Sequence, residues 1–507
     1  LTAANDALRH SRNGRVVLIF AFVLVLGFGA WGLVSPTAMT TTSVRTIDFV
    51  LSNIGWLYLA LCTGFLALSA WLALGPYGNV RLGPDDSQPE FSTLSWLAML
   101  FAGGMGAGLV FWGVAEPVSH FAHPPGGIPP SSSQSARLAM VLVNLHWGLH
   151  AWAIYGSCSL VLAYFMFRRN MPGLISTPIR ATMPESRQTR TLGFASDVIA
   201  TLAVVFGLAG SLTMGVFQVR AGISEVFGIA PTTGIGVLIL VVLTIAYLLS
   251  ASTGLSKGIQ ILSNINMVIV VLLMLVVLFF GPTAFIMEAF INAIGDYIAA
   301  LPTFSFRLLS YENQMEWTKA WTLTYLIWWV AWGPFVGIFI ARISRGRTIR
   351  EFCIGVILLP TLFSIFWFAV LGGTSIWIEL NSGGGLAELV NEDVALALFA
   401  FLDYMPFGSQ LGIVALVLIF IFLVTSADSG TFVISMMTSE GHLNPGIALK
   451  LAWGVAIAVL TLAIMLSGST EIAKAMSILG AVPFTLILIL QIVGFLRALR
   501  EEPVGRK

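Results

Sequence analysis

The chain has 507 residues, 57% of them hydrophobic and 10% charged, against about a quarter charged in ordinary soluble domains. That balance excludes a soluble globular protein, and a net charge of +1 offers no electrostatic footprint for nucleic acid. Cys62, Cys158 and Cys353 sit in apolar stretches without CxxC spacing, which argues against a disulfide framework or a metal cluster.

Apolar runs long enough to cross a bilayer, ~17 to 25 residues, recur from end to end. Arg9, Arg12 and Arg15 precede the first run, 16–34, which is too long for a cleavable signal peptide. The others follow at 50–75, 91–115, 138–167, 195–219, 233–250, 258–280, 317–343, 351–377, 408–437, 447–466 and 472–496. An all-α integral membrane protein of about 12 transmembrane helices is predicted.

Basic residues cluster after even-numbered runs, at Arg168, Arg169, Arg180, Arg187 and Arg190, at Arg342, Arg345, Arg347 and Arg350, and at Arg497, Arg500, Arg506 and Lys507. The positive-inside rule then puts both termini in the cytoplasm. Between the runs, 283–300 reads as an interfacial helix on the outer side, and 387–402 as a more acidic counterpart. Their spacing suggests a repeat of five spans, and an odd number inverts the second copy in the membrane. The division expected is 1–90 for the N-terminus and two peripheral helices, 91–300 for the first repeat with its interfacial helix, 301–496 for the second repeat, and 497–507 for a short cytoplasmic tail.

In the third span, Phe101 to Gly108 is a glycine run that includes Gly104, Gly106 and Gly108. Each Gly weakens a helix by ~1 kcal/mol relative to Ala, so the run either breaks the helix beside a cavity or ion or allows close helix packing. Glu116-Pro117 reads as a turn and helix stop, with Glu116 a structural hydrogen-bonding group. The fourth span carries His146, Trp147, His150, Trp152 and Tyr155, whose three larger aromatics share one broad side of an ideal helix. Both histidines read as satisfied core groups, since no third metal ligand has suitable spacing. In the eighth span Trp321, Trp328, Trp329 and Trp332 fall within a ~100° sector, a mid-helix stack suited to a dehydrated cation. The tenth span ends with Phe422, Thr425, Ser426 and Asp428. Its adjacent hydroxyls either serve a hard cation or bond back to their own helix, and an intramembrane carboxylate reads as functional.

These segments, together with Pro89 to Trp96 and Phe335 to Phe352, resemble the betaine/choline/carnitine transporter (BCCT) family across nearly the whole chain. The resemblance implies a homotrimeric secondary transporter of the bacterial cytoplasmic membrane with a LeuT-type 5+5 inverted repeat preceded by two extra helices. It implies an aromatic box of Trp147, Trp152, Tyr155, Trp328, Trp329 and Trp332, touched by Met105. It also implies a sodium site from the carbonyls of Ala102, Met105 and Phe422 and the hydroxyls of Thr425 and Ser426. Gly104, Gly106, Gly108 and Arg342 would take part in gating. Val204 and Leu208 stand where sodium-coupled members carry the threonines of a second sodium site, so at least one Na+ is implied and the second lacks its hydroxyls, although Phe335 remains. Leu326 and Gly333 replace a common Trp and Ser, which suggests a wider pocket. Proton-coupled choline carriers place an Asp where this chain has Gly108, which favours a zwitterion. Glycine betaine comes first, ahead of dimethylsulfoniopropionate, ectoine and carnitine. The implied activity is sodium-coupled alternating access, with a proton-coupled or ion-independent exchanger as the alternative. With no HExxH or paired carboxylates visible, an enzyme is not expected.

Overall fold

A computed structural model describes residues 2–104, 106–253, 256–442 and 444–503. Helices α1 (Thr2–Val34) and α2 (Pro36–Leu74) form an opening pair, and the third span is divided into α3 (Thr93–Gly104) and α4 (Ala107–Ala122). The fourth comprises α5 (Ser133–Trp147) and α6 (Leu149–Ala163), and short α7 (Thr177–Thr182) leads to α8 (Arg187–Phe227), α9 (Thr233–Thr253) and α10 (Ser256–Phe280). After α11 (Thr283–Phe304) and α12 (Met315–Thr318) come α13 (Thr324–Ile343) and α14 (Ile349–Asn381). The short helices α15 (Leu386–Glu392) and α16 (Ala397–Asp403) precede α17 (Gly408–Met437), α18 (Ile447–Met465), and the final pair α19 (Thr470–Leu479) and α20 (Ala481–Leu499). The protein is a multi-pass, all-α membrane protein.

Twelve helices are long and apolar enough to span, but they are not the twelve runs read from the sequence. Helix α11 qualifies by length and composition, while the third span is omitted because it is broken. Contacts between chain segments decide which helices cross. At one face, Leu82 N donates to Arg347 O at 2.8 Å, Arg168 Nη2 meets Glu502 Oε2 at 2.7 Å, and Gly14 N donates to Glu440 Oε1 at 2.8 Å. At the other face, His123 and Asn391 are 3.1 Å apart and Gly126 N donates to Gln314. The first is the basic face, and both described chain ends lie there. Helix α11 starts beside Gly281, where a Cβ would touch Thr374 near the far end of α14, and leads to Gln314. Both flanks thus lie at the far face, so α11 returns to its starting side. The third span does cross, from Glu90 beside Arg345 to His123 beside Asn391.

Three departures from regular helix shape the centre. The glycine run breaks the third span, with Gly106 extended at φ −121° and ψ −167°. Gly148 interrupts the fourth because a Cβ there would lie 2.3 Å from Asn144 O and 2.9 Å from Tyr297 Oη. A π-helical turn at Lys319–Leu323 inserts extra length early in the eighth span. Conversely, Glu116-Pro117 is not a helix stop. Helix α4 continues through Pro117 to Ala122, and the ring packs into the notch at Gly372, where a Cβ would come within 2.5 Å of Pro117 Cγ.

Candidate functional site

A cavity of about 800 Å³ lies among α4, α6, α8, α13 and α17. It runs from Trp112 and Trp147 in the interior to Arg342, Asn444 and Lys450 towards the basic face. Trp147, Tyr155, Trp328, Trp329, Trp332 and Phe335 supply its aromatic wall. Trp329 is the centre of that wall. It packs edge to face on Trp147 with centroids 5.1 Å apart and on Tyr155 at 5.3 Å, with interplanar angles of 86° and 87°.

The break at Gly148 positions these rings. It releases main-chain groups, so Leu149 N donates to Tyr297 Oη at 3.0 Å and the His146 carbonyl accepts from Trp329 Nε1 at 2.7 Å. Trp147 Nε1 donates to Glu116 Oε2, also at 2.7 Å. Both indole N–H groups are thereby engaged by protein, and the ring faces stay free for a cation, which they attract through their quadrupoles.

Not every predicted residue arrives at the cavity. Trp152 is buried outside its lining and packs on Tyr155 at 5.8 Å; the ideal-helix angle measured from Trp147 does not survive the interruption at Gly148. Trp321, placed by periodicity with the other three tryptophans, is moved out of the lining by the π turn. It instead stacks on Tyr325 at 6.2 Å. Leu326 and Gly333 do not line the cavity, and Gly333 faces Phe484 and Cys158, so neither widens it. Gly108 lies inside α4, where a Cβ would touch the Trp147 ring at 3.4 Å. Gly104 ends α3 and Gly106 stands at the break. Arg342 is exposed at the basic end of the cavity.

Of the residues assigned to sodium, Phe422, Thr425 and Ser426 line the cavity. Met105 lies outside the described residues, and of Ala102 only its place in α3 is described. Thr425 Oγ1 donates to Ile421 O at 3.0 Å and Phe422 O at 3.1 Å. These are the bonds of the back-bonding alternative, and they leave the hydroxyl lone pairs unused. Val204 is buried, and Leu208 packs where a Cβ on Gly430 would come within 2.4 Å.

Glu116, read from the sequence as a structural hydrogen-bonding group, is one behind the aromatic wall, with partners that the sequence did not reveal. Glu116 Oε1 meets His146 Nδ1 at 2.6 Å and His120 Nε2 at 3.3 Å, and His146 Nε2 lies 3.0 Å from Thr322 Oγ1. Glu116, His120 and His146 could together present metal-ligand atoms within 4.8 Å. Trp147 and Thr322 engage Glu116 Oε2 and His146 Nε2, while His120 Nδ1 is buried without a hydrogen-bond partner among the described residues; through the bond to Trp147 the cluster reads as a positioning network. His150 Nε2 lies 3.3 Å from Thr63 Oγ1 and 3.2 Å from Ser305 Oγ, but its Nδ1 is buried without a partner among the described residues, so this core histidine is satisfied on one side of the ring. Asp428 accepts from Ser250 Oγ at 2.5 Å and faces the cavity. The available signal was charge inside an apolar run, which marks Glu116 and Asp428 without revealing their partners.

A ring-walled chamber inside a bundle of spanning helices, reached from one face, defines a membrane transporter of small solutes. The chain belongs to the BCCT family: the family model described as BCCT, betaine/carnitine/choline family transporter, matches residues 16–504. It is 40% identical over 487 residues to the glycine betaine transporter OpuD of Bacillus subtilis, covering 96% of this chain and 94% of that one. The ectoine/hydroxyectoine transporter of Virgibacillus pantothenticus is 38% identical over 494 residues, covering 97% and 98%. A probable glycine betaine transporter of Desulfitobacterium hafniense matches at the same identity and coverage. The protein is accordingly a transporter and not an enzyme.

Proposed function

We propose that the protein imports glycine betaine across a bacterial cytoplasmic membrane by sodium-coupled alternating access. The observation that carries this reading is the edge-to-face set of Trp147, Tyr155 and Trp329 on the cavity wall. A desolvated cation on an aromatic face gains about 2 kcal/mol or more, and several faces meeting at one chamber suit a methylated ammonium. Gly108 adds no carboxylate there, so a zwitterion is favoured over a net cation such as choline. Relatives named for glycine betaine and for ectoine support a compatible solute.

Taking the basic face as cytoplasmic makes this conformation open to the cytoplasm, with both termini there. Thr425, Ser426 and the Phe422 carbonyl would hold sodium with the carbonyls of Ala102 and Met105. The bound ion would supply positive charge linking the third and tenth spans. Assembly as a homotrimer belongs to the same reading. An ion-independent exchanger is the second reading, favoured by the apolar Val204 and Leu208.

Counterflow of labelled glycine betaine in proteoliposomes, with and without sodium, tests both. Exchange that needs sodium supports symport, exchange indifferent to it supports the second reading, and no exchange of betaine overturns the assignment.

A further inference from the structure

The π turn Lys319–Leu323 gives the eighth span one residue more than a regular α-helix would hold there, and a stripe of α2 is fitted to that excess. Thr324 gives both its N–H and its hydroxyl to the Lys319 carbonyl five residues back, the hydroxyl at 2.7 Å. Lys319 is 7% exposed, and its ammonium meets Asp48 Oδ1 at 2.6 Å and Ser52 Oγ at 3.2 Å, both on α2, and Glu316 Oε1 of its own span at 2.6 Å. At the other end of the turn Leu323 fills a notch at Gly55, where a Cβ would come within 2.6 Å of Leu323 Cδ1. Asp48, Ser52 and Gly55 recur at i, i+4 and i+7, the spacing of one helix face. That face grips both ends of the turn.

A π turn inside an α-helix is rare and is found mostly at functional segments. Here it fixes where Trp321 stands. With the wide turn in place, Trp321 packs on Trp112 at 5.8 Å and on Tyr325 at 6.2 Å, and Lys474 of α19 backs this layer with its ammonium 4.4 Å from the Trp321 centroid. Trp112 lines the interior end of the cavity and Trp321 does not, so Trp321 stands behind the wall at the end away from the mouth. Closing the turn to α-helix takes up the extra residue, which rotates the segment before it by ~100° and moves it ~1.5 Å along the axis relative to the segment after it. Trp321 would leave the layer, and Lys319 would swing off Asp48 and Ser52.

We propose that this π turn is a two-state joint of the transport cycle, wide while the cavity is open to the basic face and α-helical when it opens to the far face, and that α2 latches the wide state through Asp48, Ser52 and Gly55. The inference rests on the alternating-access reading. It gives α2, none of whose described residues lines the cavity, a hold on the closed end of that cavity. Asp48 is largely exposed, and a partly exposed ion pair is a weak tie, which suits a latch that opens in every cycle.

Thiol labelling of the full chain, in vesicles that expose the basic face, tests this. Ser429 lines the cavity one turn beyond Thr425 towards the mouth, and Cys62, Cys158 and Cys353 are buried, so a membrane-impermeant methanethiosulfonate reads opening through Ser429→Cys. In that background Asp48→Asn is expected to slow labelling at least about threefold by releasing the wide state, and Asp48→Glu to leave it near the parent rate. Glu316→Gln, which removes a partner on the same span as Lys319, should also leave it near that rate. Unchanged labelling in Asp48→Asn, or equal slowing by Glu316→Gln, overturns the proposal; a merely structural tie would lower the melting temperature and leave labelling alone. If Asp48→Asn is not recovered folded, a reducible cross-link between Asp48→Cys and Lys319→Cys decides. Counterflow of labelled glycine betaine should stop on cross-linking and return on reduction, and undiminished counterflow in fully cross-linked protein overturns the proposal. Failure of the underlying reading looks different, because wild type would then show no counterflow.

Discussion

The indole N–H of Trp147 donates to Glu116 Oε2 at 2.7 Å, tying an aromatic wall of the cavity to a carboxylate that also binds two histidines. A charged acceptor holds a ring more firmly than a neutral one, and its removal leaves buried donors unpaired at ~1 to 3 kcal/mol each. Glu116→Ala should weaken glycine betaine binding by about 10- to 100-fold, while Glu116→Gln, which keeps an acceptor, should stay within about threefold of wild type. Tryptophan-fluorescence titration measures both, and equal losses would remove Glu116 from the role of orienting Trp147.

Trp329 and Trp152 offer a direct contrast, because only the first lines the cavity. Trp329→Leu should reduce betaine affinity at least about 10-fold, from a desolvated cation contact of ~2 kcal/mol. Trp152→Leu should act mainly on stability, lowering the apparent Tm with a smaller change in Kd. Isothermal titration paired with a melting curve separates the two outcomes, and the reverse pattern would return Trp152 to the site.

For sodium, the Thr425 hydroxyl is the group to test. Thr425→Ser keeps the oxygen and Thr425→Ala deletes it. Sodium-dependent uptake should fall about 10-fold or more in the alanine variant, with the serine variant near wild type. Uptake that is equal in both would count against an ion ligand at this position.

Gly148 has no room for a side chain beside Asn144 O and Tyr297 Oη. Gly148→Ala should therefore destabilise the protein by about 1 to 3 kcal/mol. It should also disturb betaine binding, because the His146 carbonyl that anchors Trp329 lies two residues away. A thermal melt with and without betaine reads both effects, and an unchanged melting temperature would show that the interruption does not depend on glycine.

The C-terminal segment is tied to the basic face through Glu502, which accepts from Tyr164 Oη at 2.7 Å and from Arg168 Nη2 at 2.7 Å. Burial works to raise this carboxyl, but the hydrogen bonds from Arg168 and Tyr164 overcome it and hold it below the usual range. Its folded pKa is depressed, so its stabilisation is complete above the unfolded value of about 4.3. That stabilisation is lost as pH falls through the folded value. Glu502→Gln should melt about 2 to 4 °C below wild type at neutral pH, and the gap should close in more acidic buffer. A gap independent of pH would mean that the charge does not matter.

Read alone, the sequence determined what depends on composition and on phase within an unbroken helix. Spanning runs, family membership and the shared face of Trp328, Trp329 and Trp332 were legible because each is a local property of a regular segment. Across an irregularity phase is not local: Gly148 and the π turn reset it, and Trp152 and Trp321 lie outside the cavity lining although ideal-helix spacing puts each on the same side as its aromatic neighbours. Only the tertiary structure decided that Glu116 anchors Trp147 and that Lys474 sits among rings. Those relationships join residues 31 and more than 150 positions apart. The packing of distant spans sets them, and no local periodicity encodes that packing.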